Sequence, residues 1–85
     1  MSPHQPRAQP APALRRLTEL GVGEEAVVAH VDAPPAETER LAALGVAPGV
    51  CVRLLRRGSA LSLAVGEARI ALGGSWARAV AVLPL

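Results

Sequence analysis

Lysine, tyrosine and phenylalanine are absent from these 85 residues, and tryptophan and cysteine occur once each. Without lysine there can be no Gly-x-x-x-x-Gly-Lys-Ser/Thr loop, which excludes nucleotide hydrolysis of the P-loop kind. The lone thiol, Cys51, closes no intrachain disulfide and builds no four-cysteine zinc site. Without Tyr or Phe the chain cannot line the aromatic groove that holds Pro-x-x-Pro ligands, nor a stacking platform for unpaired bases. No apolar run approaches the ~18–20 residues that span a bilayer. The N-terminus also lacks the apolar stretch of a secretory signal, so the expected compartment is the cytoplasm.

The charge is nearly balanced. Nine arginines face seven carboxylates, a formal +2, whereas nucleic-acid binding usually shows as a clustered basic face. Half the chain is hydrophobic, but much of that half is alanine. The core is therefore small, and a compact barrel suits it better than a layered sandwich. One domain is expected, over 14–85. Before it, residues 1–13 hold prolines at 3, 6, 10 and 12 with no apolar periodicity and read as a disordered tail.

The chain is organised around residues 40–55. Leu41 and Leu44 share a helical face, and Gly45 follows as the residue best able to take the left-handed conformation past a helix end. Val46 can pack back on the last turn. Pro48-Gly49 then describes a type II turn, and the alternation of Val50, Val52 and Leu54 with Cys51, Arg53 and Leu55 reads as a strand. Placed in that strand, Cys51 is expected to be a buried or half-buried inert thiol.

Elsewhere, Leu14, Leu17 and Leu20 suit a short helical turn. A strand is expected over 26–31, with Ala26, Val28 and His30 on one side. Pro34-Pro35 opens a helix over 36–44. Further strands are expected over 50–57, 61–65, 68–72 and 78–83, with a turn or single helical turn at 73–76. The expectation is a mostly β domain: a small antiparallel five-stranded barrel of the SH3-like kind, with one inserted short helix and a short N-terminal helical turn.

In that order the chain resembles the FeoA family, the small cytosolic SH3-like proteins of bacterial ferrous iron uptake. The resemblance rests most on Arg40-Leu41-x-x-Leu44-Gly45-Val46-x-Pro48-Gly49. It is supported by Leu17-x-x-Leu20-x-x-Gly23, Val65-Gly66-x-x-x-Ile70-Ala71-Leu72 and Ala79-Val80-x-Val82. It implies a partner, the membrane GTPase-permease FeoB, assisted from the cytoplasm. Similar domains sit at the C-terminus of iron-dependent repressors, but no DNA-binding helical module is expected here. In this family Trp76 stands where a charged or small residue is commoner.

No catalytic constellation is found, so no enzyme is expected. None of the four serines lies in a nucleophile elbow, and the two histidines are His4 and His30. His30 and Asp32, two apart on a strand, face the same way and supply two metal ligands. That is too few for zinc or ferrous iron unless a second copy, His4 or solvent completes the set. The alternatives are a solvent-facing histidine and a weak divalent site at an intermolecular contact, for instance in a homodimer. No cofactor is required.

The expected partner surface is the helix end and turn, Leu44, Gly45, Val46, Pro48 and Gly49, with Trp76 and Arg53. Trp76 is either a binding anchor or a lid on the barrel. Arg53, Arg56, Arg57 and Arg69 form either a basic strip or a solvated face. The rival readings are a small-barrel nucleic-acid binder, whose affinity would fall steeply with salt, and a metal-responsive iron sensor.

Overall fold

A computed structural model describes residues 13–85. The expectations on residues 1–12, the tail and His4, lie outside the described residues. The elements are β1 (Arg15–Arg16), a 3₁₀ turn (Leu17–Glu19), β2 (Glu25–Val31), α1 (Pro35–Ala43), β3 (Cys51–Arg56), β4 (Ala60–Val65), β5 (Ala68–Gly73), α2 (Gly74–Arg78) and β6 (Val80–Pro84). All strand pairs are antiparallel, in the order β1-β6-β2-β3-β4-β5. This is the SH3-like fold expected, with a sixth strand that two arginines add by pairing with Ala81 and Val82. The last helical turn is α2, which packs against β4, β5, β6 and the 3₁₀ turn.

The core is wholly aliphatic. Among the described residues fifteen are buried, none of them polar, and Val31, Val50, Ile70 and Trp76 pack partly against them. Register explains the pattern, because directly paired residues point to one side of a sheet. Leu54, Leu63 and Ile70 lie side by side on the inner face of β3, β4 and β5, while Glu25, Arg53, Ala64 and Arg69 form an outer row across β2 to β5. Cys51 falls in the outer phase with Arg53 and is exposed. This corrects the expected burial: strand phase overrides the preference of a free thiol for the interior.

A bulge separates His30 from Ala26 and Val28, the residues with which its alternation groups it, and leaves it solvent-facing, as one of the two readings has it. Val28 pairs with Val82, yet His30 pairs with Ala81, so Ala29 is an extra residue in β2. Simple alternation would send His30 inward with Ala26 and Val28. The extra residue reverses the phase, turning His30 to solvent and giving Val31 the inner position opposite Val80. A second bulge at Leu55 does the same for Arg56.

The organising stretch folds as its residues dictate. Leu44 caps α1, Gly45 follows at φ +97°, and the Gly45 and Val46 amides donate to the carbonyls of Ala42 and Leu41 at 2.9 and 2.8 Å. These are the paired bonds of a Schellman cap, and Val46 completes it by burying itself in the core with Leu41. Gly49, at φ +92°, closes the next turn, where Val50 N–H donates to Ala47 C=O at 3.1 Å. A Cβ on Gly45 would lie 3.1 Å from Val65 Cγ1, whereas one on Gly49 would meet nothing within 4 Å. Gly49→Ala should therefore cost about 1–2 kcal/mol of backbone strain. Gly45→Ala should cost more, a difference that urea denaturation of the two variants measures.

Candidate functional site

Two separate places on the surface hold the pairs Leu44 with Trp76 and His30 with Asp32. The first lies where α1 ends. Leu44 is 43% exposed, an unusual position for a leucine in a chain whose other helical leucine, Leu41, is buried. Beside it, from α2, stands Trp76, half-buried and packed partly against the core. Together with Ala71, Leu72, Gly73 and Ser75 they line an open groove. The other side of Trp76 borders a second hollow with Ala33, Glu37, Leu41 and Ala79, so the indole is a wall shared by both. It fills volume that the aliphatic core lacks and also offers an edge to a partner.

The expected partner residues divide. Leu44 and Trp76 come together in the groove. Gly45, Pro48 and Gly49 shape the backbone that carries Leu44 into β3, with Pro48 and Gly49 exposed. Val46 is buried, so it holds the helix end and offers no surface. Arg53 lies elsewhere, in a hollow with Glu25, Cys51, Ala64 and Gly66, and its guanidinium is 3.6 Å from the Glu25 carboxylate.

Two of the four arginines of the expected strip have partners within the chain. Arg57 turns back along the chain and donates to the carbonyls of Thr18, at 2.7 Å, and Leu20. Arg15 donates to Glu19 C=O at 2.9 Å and Arg16 to Arg78 C=O at 2.8 Å. These side chains fasten the 3₁₀ turn and the end of α2 to the barrel. The contacts span 37 to 62 residues of sequence apart from Arg15's, which is why composition alone suggested free cations. Of the four arginines in the expected strip, Arg57 is thus held by carbonyls and Arg53 is paired with Glu25. Carbonyl contacts orient the Arg57 guanidinium without neutralising it, and Arg56 and Arg69 are exposed and belong to neither ion pair of the described residues.

The second place is a hollow lined by His30 and Asp32 together with Leu14, Arg15, Arg16, Glu19 and Ala81. The structure does bring the two metal-ligand candidates to one hollow. Among the described residues no third His, Cys, Asp or Glu completes a metal-binding group there or anywhere else. Glu19 is already committed, its Oε1 accepting from Arg16 N–H at 2.8 Å. Two guanidinium groups border the same space and raise the electrostatic cost of a divalent ion. The donor set of the described residues does not by itself fit a zinc or ferrous centre.

Among the described residues no helix is long and apolar enough to cross a membrane. No curated protein sequence matches the chain. Solved structures do. An iron uptake regulatory protein, FeoA, superposes with a TM-score of 0.81 at 26% identity over 86% of this chain and 99% of that one. FeoA of Stenotrophomonas maltophilia, a prokaryotic SH3 domain protein solved with zinc, is 37% identical over 78% of this chain and 86% of its own, with a TM-score of 0.69. A manganese-dependent transcriptional repressor is 29% identical with a TM-score of 0.80, but this chain, covered to 92%, spans only 45% of that protein. The model of the FeoA domain matches residues 15–84, almost all of the described chain, and the chain belongs to the FeoA family.

Proposed function

We propose that this chain is a non-enzymatic accessory protein of bacterial ferrous iron uptake that works in the cytoplasm by docking on the soluble part of the FeoB GTPase-permease. The FeoA family is associated with ferrous iron transport. The observation that carries the docking reading is the groove lined by Leu44 and Trp76, where a large exposed aliphatic side chain and an indole face the same open space. Tryptophan is enriched at binding hot spots, and a partner that covers both side chains gains their desolvation. Such a protein can alter transport only by binding one conformation of the transporter more tightly than another.

The test is size-exclusion chromatography of the full chain with the cytoplasmic part of FeoB, followed by GTP hydrolysis assays on each component alone. Co-elution, with hydrolysis confined to FeoB, is expected. Turnover by the purified accessory chain would overturn the reading.

For the metal, the zinc bound by the S. maltophilia relative extends to this chain only as a weak site at His30 and Asp32, completed by solvent or a second copy. Calorimetric titration with zinc should give a dissociation constant no tighter than about 10 μM, well short of what four protein ligands provide. The heat should vanish in His30→Ala. Nanomolar affinity, or heat unchanged in that variant, would place the site elsewhere.

A further inference from the structure

The groove runs along a free strand edge. β5 pairs with β4 on one side only and ends the sheet. The two-residue loop Gly66-Glu67 joins them, so the flanking pair Val65 and Ala68 exchange hydrogen bonds, and alternate pairs along the ladder do the same. Ala68, Ile70 and Leu72 therefore direct their N–H and C=O groups to β4, and Arg69 and Ala71 direct theirs away from it. Among the described residues nothing bonds to those outward groups. Both residues are exposed. An unpaired edge of this kind is a ready template for the backbone of another extended segment.

The side chains beside the edge specify what that segment must carry. A residue placed opposite Leu72 points to the same side as Leu72, which is the groove walled by Leu44 and Trp76. One opposite Ile70 meets a half-buried apolar surface. One opposite Arg69 points outward, beside a guanidinium that belongs to neither ion pair of the described residues, Arg15–Glu24 or Arg53–Glu25. In the antiparallel sense this reads apolar, any, apolar, acidic.

We infer that an extended segment of the partner adds to β5 as a further strand, seating an apolar side chain between Leu44 and Trp76 and a carboxylate on Arg69. The inference rests on the docking reading above and names its mode. Added beside Ala71 and Gly73, a seventh strand would cover the groove that these residues line.

The experiment uses the full chain and a fluorescein-labelled ten-residue peptide with the central sequence Leu-Thr-Val-Asp. Polarisation should rise on binding to wild type and should fall off by at least about tenfold in affinity with Ala71→Pro, which removes one outward N–H while leaving the β4 ladder intact. Methylating the peptide nitrogen that faces Ala71 should have a similar effect on wild type, so the test stands even if the proline variant folds poorly. No binding to wild type, or equal binding by wild type and Ala71→Pro together with equal binding of the plain and methylated peptides, overturns strand addition. Hydrogen exchange of the Arg69 and Ala71 amides should be fast in the free protein at all concentrations and slowed by the peptide. Protection that grows with protein concentration makes a second copy the occupant, and protection at high dilution makes it this chain's own residues 1–12; either contradicts the inference. The transporter arm separates the two proposals. If the FeoB cytoplasmic part binds wild type and Ala71→Pro alike, docking survives and strand addition falls. If it binds neither while the peptide distinguishes them, strand addition survives and the choice of partner falls.

Discussion

Leu44→Asp is expected to weaken binding to the cytoplasmic part of FeoB by at least about a hundredfold. Truncating a hot-spot side chain costs about 2 kcal/mol or more, and a carboxylate left in the covered groove adds a desolvation penalty. A total of about 3 kcal/mol is over a hundredfold in affinity. Leu44 is 43% exposed in the free chain, so the same change removes little from the core. Its cost to folding is the placement of a negative charge at the C-terminus of α1, about 0.3–1 kcal/mol. Leu44→Lys separates the two effects. A lysine there favours the helix dipole yet removes the same apolar contact, so it should leave stability unchanged while still losing most of the affinity. Trp76→Ala is a less clean probe, because the indole also packs against the core and should cost stability and affinity together. Calorimetry of binding and thermal unfolding on the same three proteins provide the comparison.

The opposite dissociation is expected inside the barrel. Leu63 is fully buried on β4, flanked by Leu54 and Ile70 on the neighbouring strands. Leu63→Ala removes three heavy atoms from the middle of that row and should cost about 3 kcal/mol, within the range for leucine truncations in packed cores. The chain has no tyrosine or phenylalanine to move into the space, and aliphatic neighbours held in a β ladder collapse poorly around a void. For a domain of this size, about 3 kcal/mol lowers the midpoint of thermal unfolding by about 12–24 °C. At temperatures where the variant is folded, its affinity for the partner should match wild type, since the groove residues are untouched. A loss of affinity in proportion to the loss of stability would show that the groove is shaped by the core row and is not an independent surface.

The parts of this molecule that could be read from sequence are those whose conformation is fixed locally. Gly45, Pro48 and Gly49 carry their backbone geometry in their own chemistry, and the helix end, its cap and the turn fall where they indicate. The inner phase of β3 and β4 was legible from the alternation of Val52, Leu54, Leu61, Leu63 and Val65. The bulges at Ala29 and Leu55 were not, because an extra residue in a strand leaves no mark on composition. β1 was missed for a simpler reason: two arginines carry no strand signal, and only the edge of β6 makes them one. Leu14 was grouped with Leu17 and Leu20 by spacing, yet it is 60% exposed, since β1 begins right after it and the turn is shorter than the repeat.

The groove was half legible. Its two side chains could be named, but Leu44 and Trp76 meet across 32 residues of sequence, through a hairpin whose curvature no local pattern encodes. Arg57 shows the same limit from the other side, an apparent surface cation that closes on carbonyls of the 3₁₀ turn.

The account depends on one claim, that this chain acts by presenting the Leu44–Trp76 groove and the adjoining β5 edge. Titration of the ¹⁵N-labelled full chain with the cytoplasmic part of FeoB tests it directly. The amides of Leu44, Ala71 and Gly73 and the Trp76 indole N–H should shift or broaden while those of Cys51 and Arg53 stay in place. Shifts confined to the Cys51–Arg53 face, or none at all, would contradict it.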